Sequence, residues 1–211
     1  MKTNKTHRFI AIFMMFILFF VPNAYALTDP NPAAAAAILI DKDSGYVLYD
    51  KNSDEKRYPA STTKIMTALI TLENAENLDE LVEVTEEDFI GVASDASKAG
   101  FMVGEQVPVI DLLYGLMLPS GNEAANTLAR HIGGSIENFA DMMNKKAKEL
   151  GCTNTHFVNP NGLHDENHYT TARDLAIITQ EALKDETFAL IVNTAQKTLS
   201  ETNMTTMRDG T

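Results

Sequence analysis

Residues 33–49 read as a β-hairpin, and almost nothing after Leu190 offers further strands to pair with it. Residues 33–40 form an apolar run, Asp41-Lys42-Asp43-Ser44-Gly45 is turn chemistry, and residues 46–49 are rich in β-formers. A hairpin with a few residues per strand is marginal alone, so helices or other strands must cover it. The sequence supplies helices. Apolar periodicity runs from near Ser61 to about Leu72, and residues 109–118 place Ile110, Leu113, Tyr114 and Met117 on one stripe. Residues 123–132 read as a helix ended by Gly133-Gly134, and residues 136–150 as another closed by Gly151. A last helix over residues 171–183 has Ala172, Leu175, Ala176 and Ile178 or Thr179 as its expected core face. Between these lie a charged loop (51–57), an acidic stretch with a short strand (73–87), a glycine-bearing loop (93–106) and a turn at Asn159-Pro160-Asn161-Gly162. The fold class expected is α/β in the α+β sense: antiparallel strands beside a helical lobe.

The first residues carry a different message. Lys2, Lys5 and Arg8 precede an unbroken apolar run over residues 9–21, too short for a comfortable membrane span. Ala24-Tyr25-Ala26 then offers small residues at the positions a signal peptidase reads. The expectation is a signal peptide over residues 1–26, with export to the cell envelope; an uncleaved membrane anchor is the alternative. Residues 27–211 would form one domain: hairpin (27–60), mainly helical lobe (61–185) and a short C-terminal part (186–211). Formal charge is −12 for the whole chain, and the leader removes bases but no acids. So acidic a chain argues against nucleic acid as a partner. Cys152 is the single cysteine, so no intrachain disulfide can form. It stands at an expected helix end without a basic neighbour to activate it.

Two strings pair a serine with a lysine three residues on. Ser53-Asp54-Glu55-Lys56 sits in the charged loop, with no apolar periodicity after it to bury the amine. Ser61-Thr62-Thr63-Lys64 follows Pro59-Ala60 and opens a helix bearing Ile65, Met66, Leu69 and Ile70. At that spacing both side chains lie on one face, a turn apart. Burial and the positive helix N-terminus both disfavour a charged amine, so Lys64 can serve as base and Ser61 as nucleophile. The competing reading is a helix N-cap serine with a snorkelling lysine. Ser120-Gly121-Asn122, the one Ser-x-Asn in the chain, breaks two apolar helices. A hydroxyl and a carboxamide there are expected to face the first pair, Ser120 passing the proton on and Asn122 binding a substrate carbonyl. Simple turn chemistry is the alternative.

Together these words resemble a known family. Residues 59–68, Asp111-Leu112-Leu113-Tyr114-Gly115-Leu116-Met117-Leu118-Pro119-Ser120-Gly121-Asn122-Glu123-Ala124-Ala125, Met142-Met143-Asn144, residues 154–163 and residues 168–175 are similar, in order, to the low-molecular-weight penicillin-binding proteins that are serine D-alanyl-D-alanine carboxypeptidases. The resemblance implies the serine β-lactamase and penicillin-binding transpeptidase-like fold, with the catalytic serine where an antiparallel sheet meets a helical lobe. It implies that Ser61 attacks the carbonyl between the terminal D-alanines of a peptidoglycan pentapeptide, with Lys64 as base, Ser120 in the proton relay and Asn122 binding substrate. The backbone N–H of Ser61 would form half of the oxyanion hole. β-Lactam antibiotics would acylate the same serine. No cofactor and no metal are implied.

The family's third motif, Lys-Thr-Gly on a sheet strand, does not occur; Lys197-Thr198-Leu199 is the nearest string. The C-terminal strands of the sheet are therefore expected to be missing, leaving an unpaired hairpin edge prone to aggregation. One alternative is a degenerate, non-catalytic relative that binds cell-wall peptide weakly or does not fold. Another is a class A β-lactamase, although no Glu-x-x-Leu-Asn string occurs and Gly121 stands where those enzymes usually carry Asp. A zinc peptidase would use His164 and His168, four apart, but they follow Asn-Pro-Asn-Gly and read as polar loop residues.

Overall fold

The first strong apolar period becomes the centre of the molecule. In the computed structural model, which describes residues 29–205, a 3-10 turn (Ala60–Thr63) runs directly into α1 (Lys64–Asn74). Met66, Thr67, Ala68, Leu69, Ile70 and Thr71 are all buried, so α1 is covered on every side. It packs against each of five further helices: α2 (Val109–Met117), α3 (Asn122–Gly133), α4 (Ile136–Glu149), α5 (Ala172–Ala182) and α6 (Glu186–Val192). Their buried side chains, among them Leu112, Leu113, Leu116, Leu128, Phe139, Met143, Ile178 and Ile191, form one core with α1. Burying each such side chain contributes about 1.5–3 kcal/mol, so this cluster is the main driving force.

The helix ends follow local chemistry. Ser135, Thr171 and Asp185 cap α4, α5 and α6 by accepting from the backbone N–H groups of Asn138, Asp174 and Phe188. Such a cap is worth about 1 kcal/mol. Gly134 ends α3 in the left-handed conformation, with φ of 75°.

The hairpin forms as expected in kind, with different limits. β1 (Ala37–Ile40) pairs antiparallel with β2 (Val47–Lys51), with Leu39 opposite Tyr49 and a register shift between Leu39 and Ile40. Residues 33–36 stay outside the strand, and β2 reaches Lys51, into the expected charged loop. A separate two-stranded ladder joins β3 (Leu81–Glu83) to β4 (Gln106–Pro108), placing the short strand of the acidic stretch and giving it a partner.

Two expectations are corrected. Helix α6 falls in the short C-terminal part, where no element is expected; seven residues are too few for a clear period, and Phe188 and Ile191 fix it by burial. In α5 the buried stripe is Asp174, Ile178 and Ala182. Ala172, Leu175 and Ala176 are half-buried and line a groove with Ile38 and Ile40 of β1. The helix is wedged between core and hairpin, so its apolar surface is shared between two faces. The expected signal peptide lies outside the described residues.

Candidate active site

Ser61 and Lys64 sit at the start of the central helix, one exposed and the other 2% exposed. The N-cap reading of Ser61 fails: Pro59 holds the cap position of the 3-10 turn, and Ser61 lies inside it. Three acceptors surround the Lys64 amine. Asn122 Oδ1 and the Asn161 carbonyl each lie at 2.7 Å, and Ser61 Oγ lies at 3.4 Å. Two short bonds thus hold two of the amine's hydrogens and leave its remaining tetrahedral position towards the serine. Burial pulls Lys64 from 10.5 down to about 8, against the opposing influence of the Glu123 carboxylate. At pH 7 about a tenth of the amine is then neutral, with its lone pair directed at a hydroxyl.

Asn122 is the first residue of α3 and is 5% exposed. Its oxygen is used by Lys64, so its amide nitrogen is the end left to meet a ligand. Ser120 departs from expectation. It has φ of 62°, a conformation costly for a residue with a Cβ, and its hydroxyl is buried without a hydrogen-bond partner. The three acceptors of the Lys64 amine are Ser61, Asn122 and Asn161, and Ser120 is not among them. Ala60, beside the nucleophile candidate, is the other left-handed non-glycine residue flanking these motifs, with φ of 49°.

The sequence reading missed what holds the amine from the far side. The turn at residues 159–163 is tied internally: Gly162 N–H donates to Asn159 Oδ1, and Leu163 N–H to Asn161 Oδ1. Thr67 Oγ1 donates to the Pro160 carbonyl, fastening the turn to α1. Asn161 Nδ2 donates to Asn126 Oδ1, and Asn126 Nδ2 to the Asp88 carbonyl. Gly162 lies so close to the Ala60 backbone that a methyl group there would stand 1.9 Å from the Ala60 oxygen. Nothing in the turn word Asn-Pro-Asn-Gly announces that its carbonyl receives a lysine. The contact spans 97 positions of sequence.

The remaining candidates are otherwise engaged. Ser53 is buried and binds Asp50 and Arg173, while Lys56 lies over the Tyr169 ring, 4.1 Å from its centre. His164 stacks edge-on with Tyr58. His168 Nε2 lies 2.8 Å from Thr63 Oγ1, and its Nδ1 accepts from the Val158 N–H. Both ring nitrogens of His168 thus serve the fold. Burial pushes the Cys152 thiol up to about 12, the reverse of an activated nucleophile. Lys197 lies over the Tyr114 ring, 5.0 Å from its centre, and Ser200 N–H donates to Asp111, so the nearest string to a third motif is packed on α2.

The family model described as Peptidase_S11, D-alanyl-D-alanine carboxypeptidase, matches residues 23–210. The chain belongs to this family. It is 40% identical over 195 residues to the D-alanyl-D-alanine carboxypeptidase DacF of Bacillus subtilis (strain 168), covering 88% of this chain and 49% of DacF. It is 39% identical over 191 residues to the D-alanyl-D-alanine carboxypeptidase of Streptomyces sp. (strain K15), covering 85% and 65% of the two. The crystal structure of the Streptomyces K15 DD-transpeptidase superposes with a TM-score of 0.76 at 40% identity, covering 80% of this chain and 67% of that one. Penicillin binding protein 5 from Haemophilus influenzae gives 0.71 at 37% identity, covering 76% and 48%. The fold is therefore that of the penicillin-binding transpeptidases, and the chain spans about half the length of DacF.

Proposed function

We propose that this chain is a serine-type D-alanyl-D-alanine carboxypeptidase acting on the D-Ala-D-Ala end of peptidoglycan stem peptides, outside the cytoplasmic membrane. The observation that carries the reading is the Lys64 amine, buried, depressed to about 8, and bonded to Asn122 and Asn161 with Ser61 in its third direction. The relatives' names supply the substrate class, and the apolar run at 9–21 with Ala24-Tyr25-Ala26 supports export.

Neutral Lys64 takes the Ser61 proton as Oγ attacks the carbonyl carbon between the two D-alanines. The carbonyl oxygen becomes an anion facing the Ser61 backbone N–H, and the Asn122 amide nitrogen holds a substrate carbonyl. As the tetrahedral carbon collapses, the C–N bond breaks. The proton held by Lys64 passes by way of Ser120 to the leaving amine, and free D-alanine departs. Water then hydrolyses the Ser61 ester. A β-lactam ring meets the same nucleophile and leaves a longer-lived ester.

Labelling with a fluorescent penicillin tests this reading. The unaltered chain should carry one covalent label, and Ser61→Ala should carry none while retaining its far-ultraviolet circular dichroism. Folded, unaltered protein that takes no label would overturn the proposal in favour of a non-catalytic relative.

A further inference from the structure

The most unusual buried group near the site is one the chemistry above does not use. Glu123, the second residue of α3, is fully buried. Its Oε1 accepts from three successive backbone N–H groups, those of Ala99 at 2.6 Å, Gly100 at 2.8 Å and Phe101 at 3.4 Å. Its Oε2 is buried with no partner. Next to it, the Asn122 N–H donates to the Ser97 carbonyl at 3.0 Å. Gly121 is so close to this segment that a methyl group there would stand 2.9 Å from Ala99 Cβ. The 97–101 segment is thus sewn to the turn that carries Ser120 and Asn122, and one carboxylate makes most of the stitches.

We propose that Glu123 is a positioning residue of the acylation site: its carboxylate clamps the 97–101 backbone against the turn that carries Ser120 and Asn122. The proposal deepens the carboxypeptidase reading and rests on it. A carboxylate carries the clamp better than a neutral group, because hydrogen bonds to an ionised acceptor are about twice as strong.

Charged groups elsewhere around α1 are committed to other partners. Asp88, against α3, is held by Arg130, and Asp174 of α5 accepts from the Asn154 N–H and Thr155 Oγ1. Asp111 of α2 accepts from the Ser200 N–H, and Lys146 of α4 pairs with Glu73. His168, bonded to Thr63, is held by burial at about 4 and is neutral at pH 7. Glu123 is the charge that opposes the effect of burial on Lys64.

The test separates the clamp from the charge. Glu123→Gln keeps an oxygen for the three N–H groups and removes the charge; Glu123→Ala removes both. The Lys64 midpoint is read by NMR of 13C-lysine-labelled full chain, and amide exchange is read at Ala99, Gly100 and Phe101. In Glu123→Gln the midpoint should fall below that of the unaltered chain, and the three amides should lose less protection than in Glu123→Ala. In Glu123→Ala, if it folds, those amides should exchange roughly 10-fold faster or more, the fold-change expected for losing a charge-assisted bond. Unchanged exchange in Glu123→Ala overturns the clamp, and a Lys64 midpoint unmoved by either variant overturns its role at the acylation site. These readouts need no turnover. A chain that takes no penicillin label but whose three amides lose protection in Glu123→Ala supports the clamp and overturns the acylation reading.

Discussion

Lys64 is a charged side chain type placed where a charge is expensive, and every neighbour answers that expense. Two oxygens at 2.7 Å accept its hydrogens, a carboxylate opposes the effect of burial, and the balance is about 8. The sign of the pH effect follows. Protonated Lys64 cannot take the Ser61 proton, so penicillin acylation should rise about 10-fold per pH unit below the midpoint and level off above about 8. A second-order labelling rate that is flat between pH 6 and pH 9 would remove Lys64 from the role of base. Stability moves the same way. The unfolded lysine keeps its proton up to about 10.5 and the folded one loses it near 8, so the unfolded state binds more protons within that window. This group therefore adds stability as pH rises from about 8 to 10.5 and adds nothing further above that window. At this scale the sequence was informative about Ser61, Lys64 and Asn122, which the structure brings together. The Ser120 hydroxyl, buried beside them, bonds none of the three.

Elements hold this geometry through backbone contacts that side-chain patterns do not announce. The 159–163 turn presses on the 3-10 turn carrying Ser61, and only a glycine permits the approach. Gly162 has φ of 85°, and Gly151 has φ of 80° but faces open space. Both should lose stability on replacement by alanine, by about 1–2 kcal/mol from the left-handed backbone alone. Gly162→Ala should lose clearly more, because the new methyl meets backbone, and its penicillin labelling should slow while that of Gly151→Ala does not. Urea midpoints of the two variants, read side by side, check this; equal losses would show that the close approach carries no weight. Helix α3 and the Pro119–Asn122 break were legible because proline, glycine and the apolar stripes punctuate them. The seven-residue α6 and the true inner face of α5 were not, since both depend on what packs against them.

At the scale of the molecule, the central helix α1 is enclosed and the hairpin is not. β1 and β2 form a two-stranded sheet, one side of which covers α5. Leu39, Tyr46 and Leu48 remain 55%, 70% and 59% exposed. Exposed apolar side chains on a short two-stranded sheet promote association. Concentration-dependent light scattering should therefore show self-association of the full chain, and Leu48→Lys should reduce it without changing penicillin labelling. A Leu48→Lys variant that scatters like the unaltered chain would move the cause elsewhere.

The sequence alone determined the elements and the chemical vocabulary. Periodicity placed the longer helices, turn residues placed the breaks, and the spacing of Ser61 and Lys64 put both on one face, because these follow from rules acting within a few residues. Periodicity also ranked the two serine–lysine pairs; only the tertiary structure decided what encloses the chosen one, Asn122 and Asn161 on the Lys64 amine, with the charge of Glu123 opposing its burial, and what occupies the other, Asp50 and Arg173 on Ser53. Asn122, Asn161 and Glu123 come from 58, 97 and 59 positions away along the chain. Desolvation and the matching of an amine to its acceptors exist only after the chain has packed, so no local pattern can carry them.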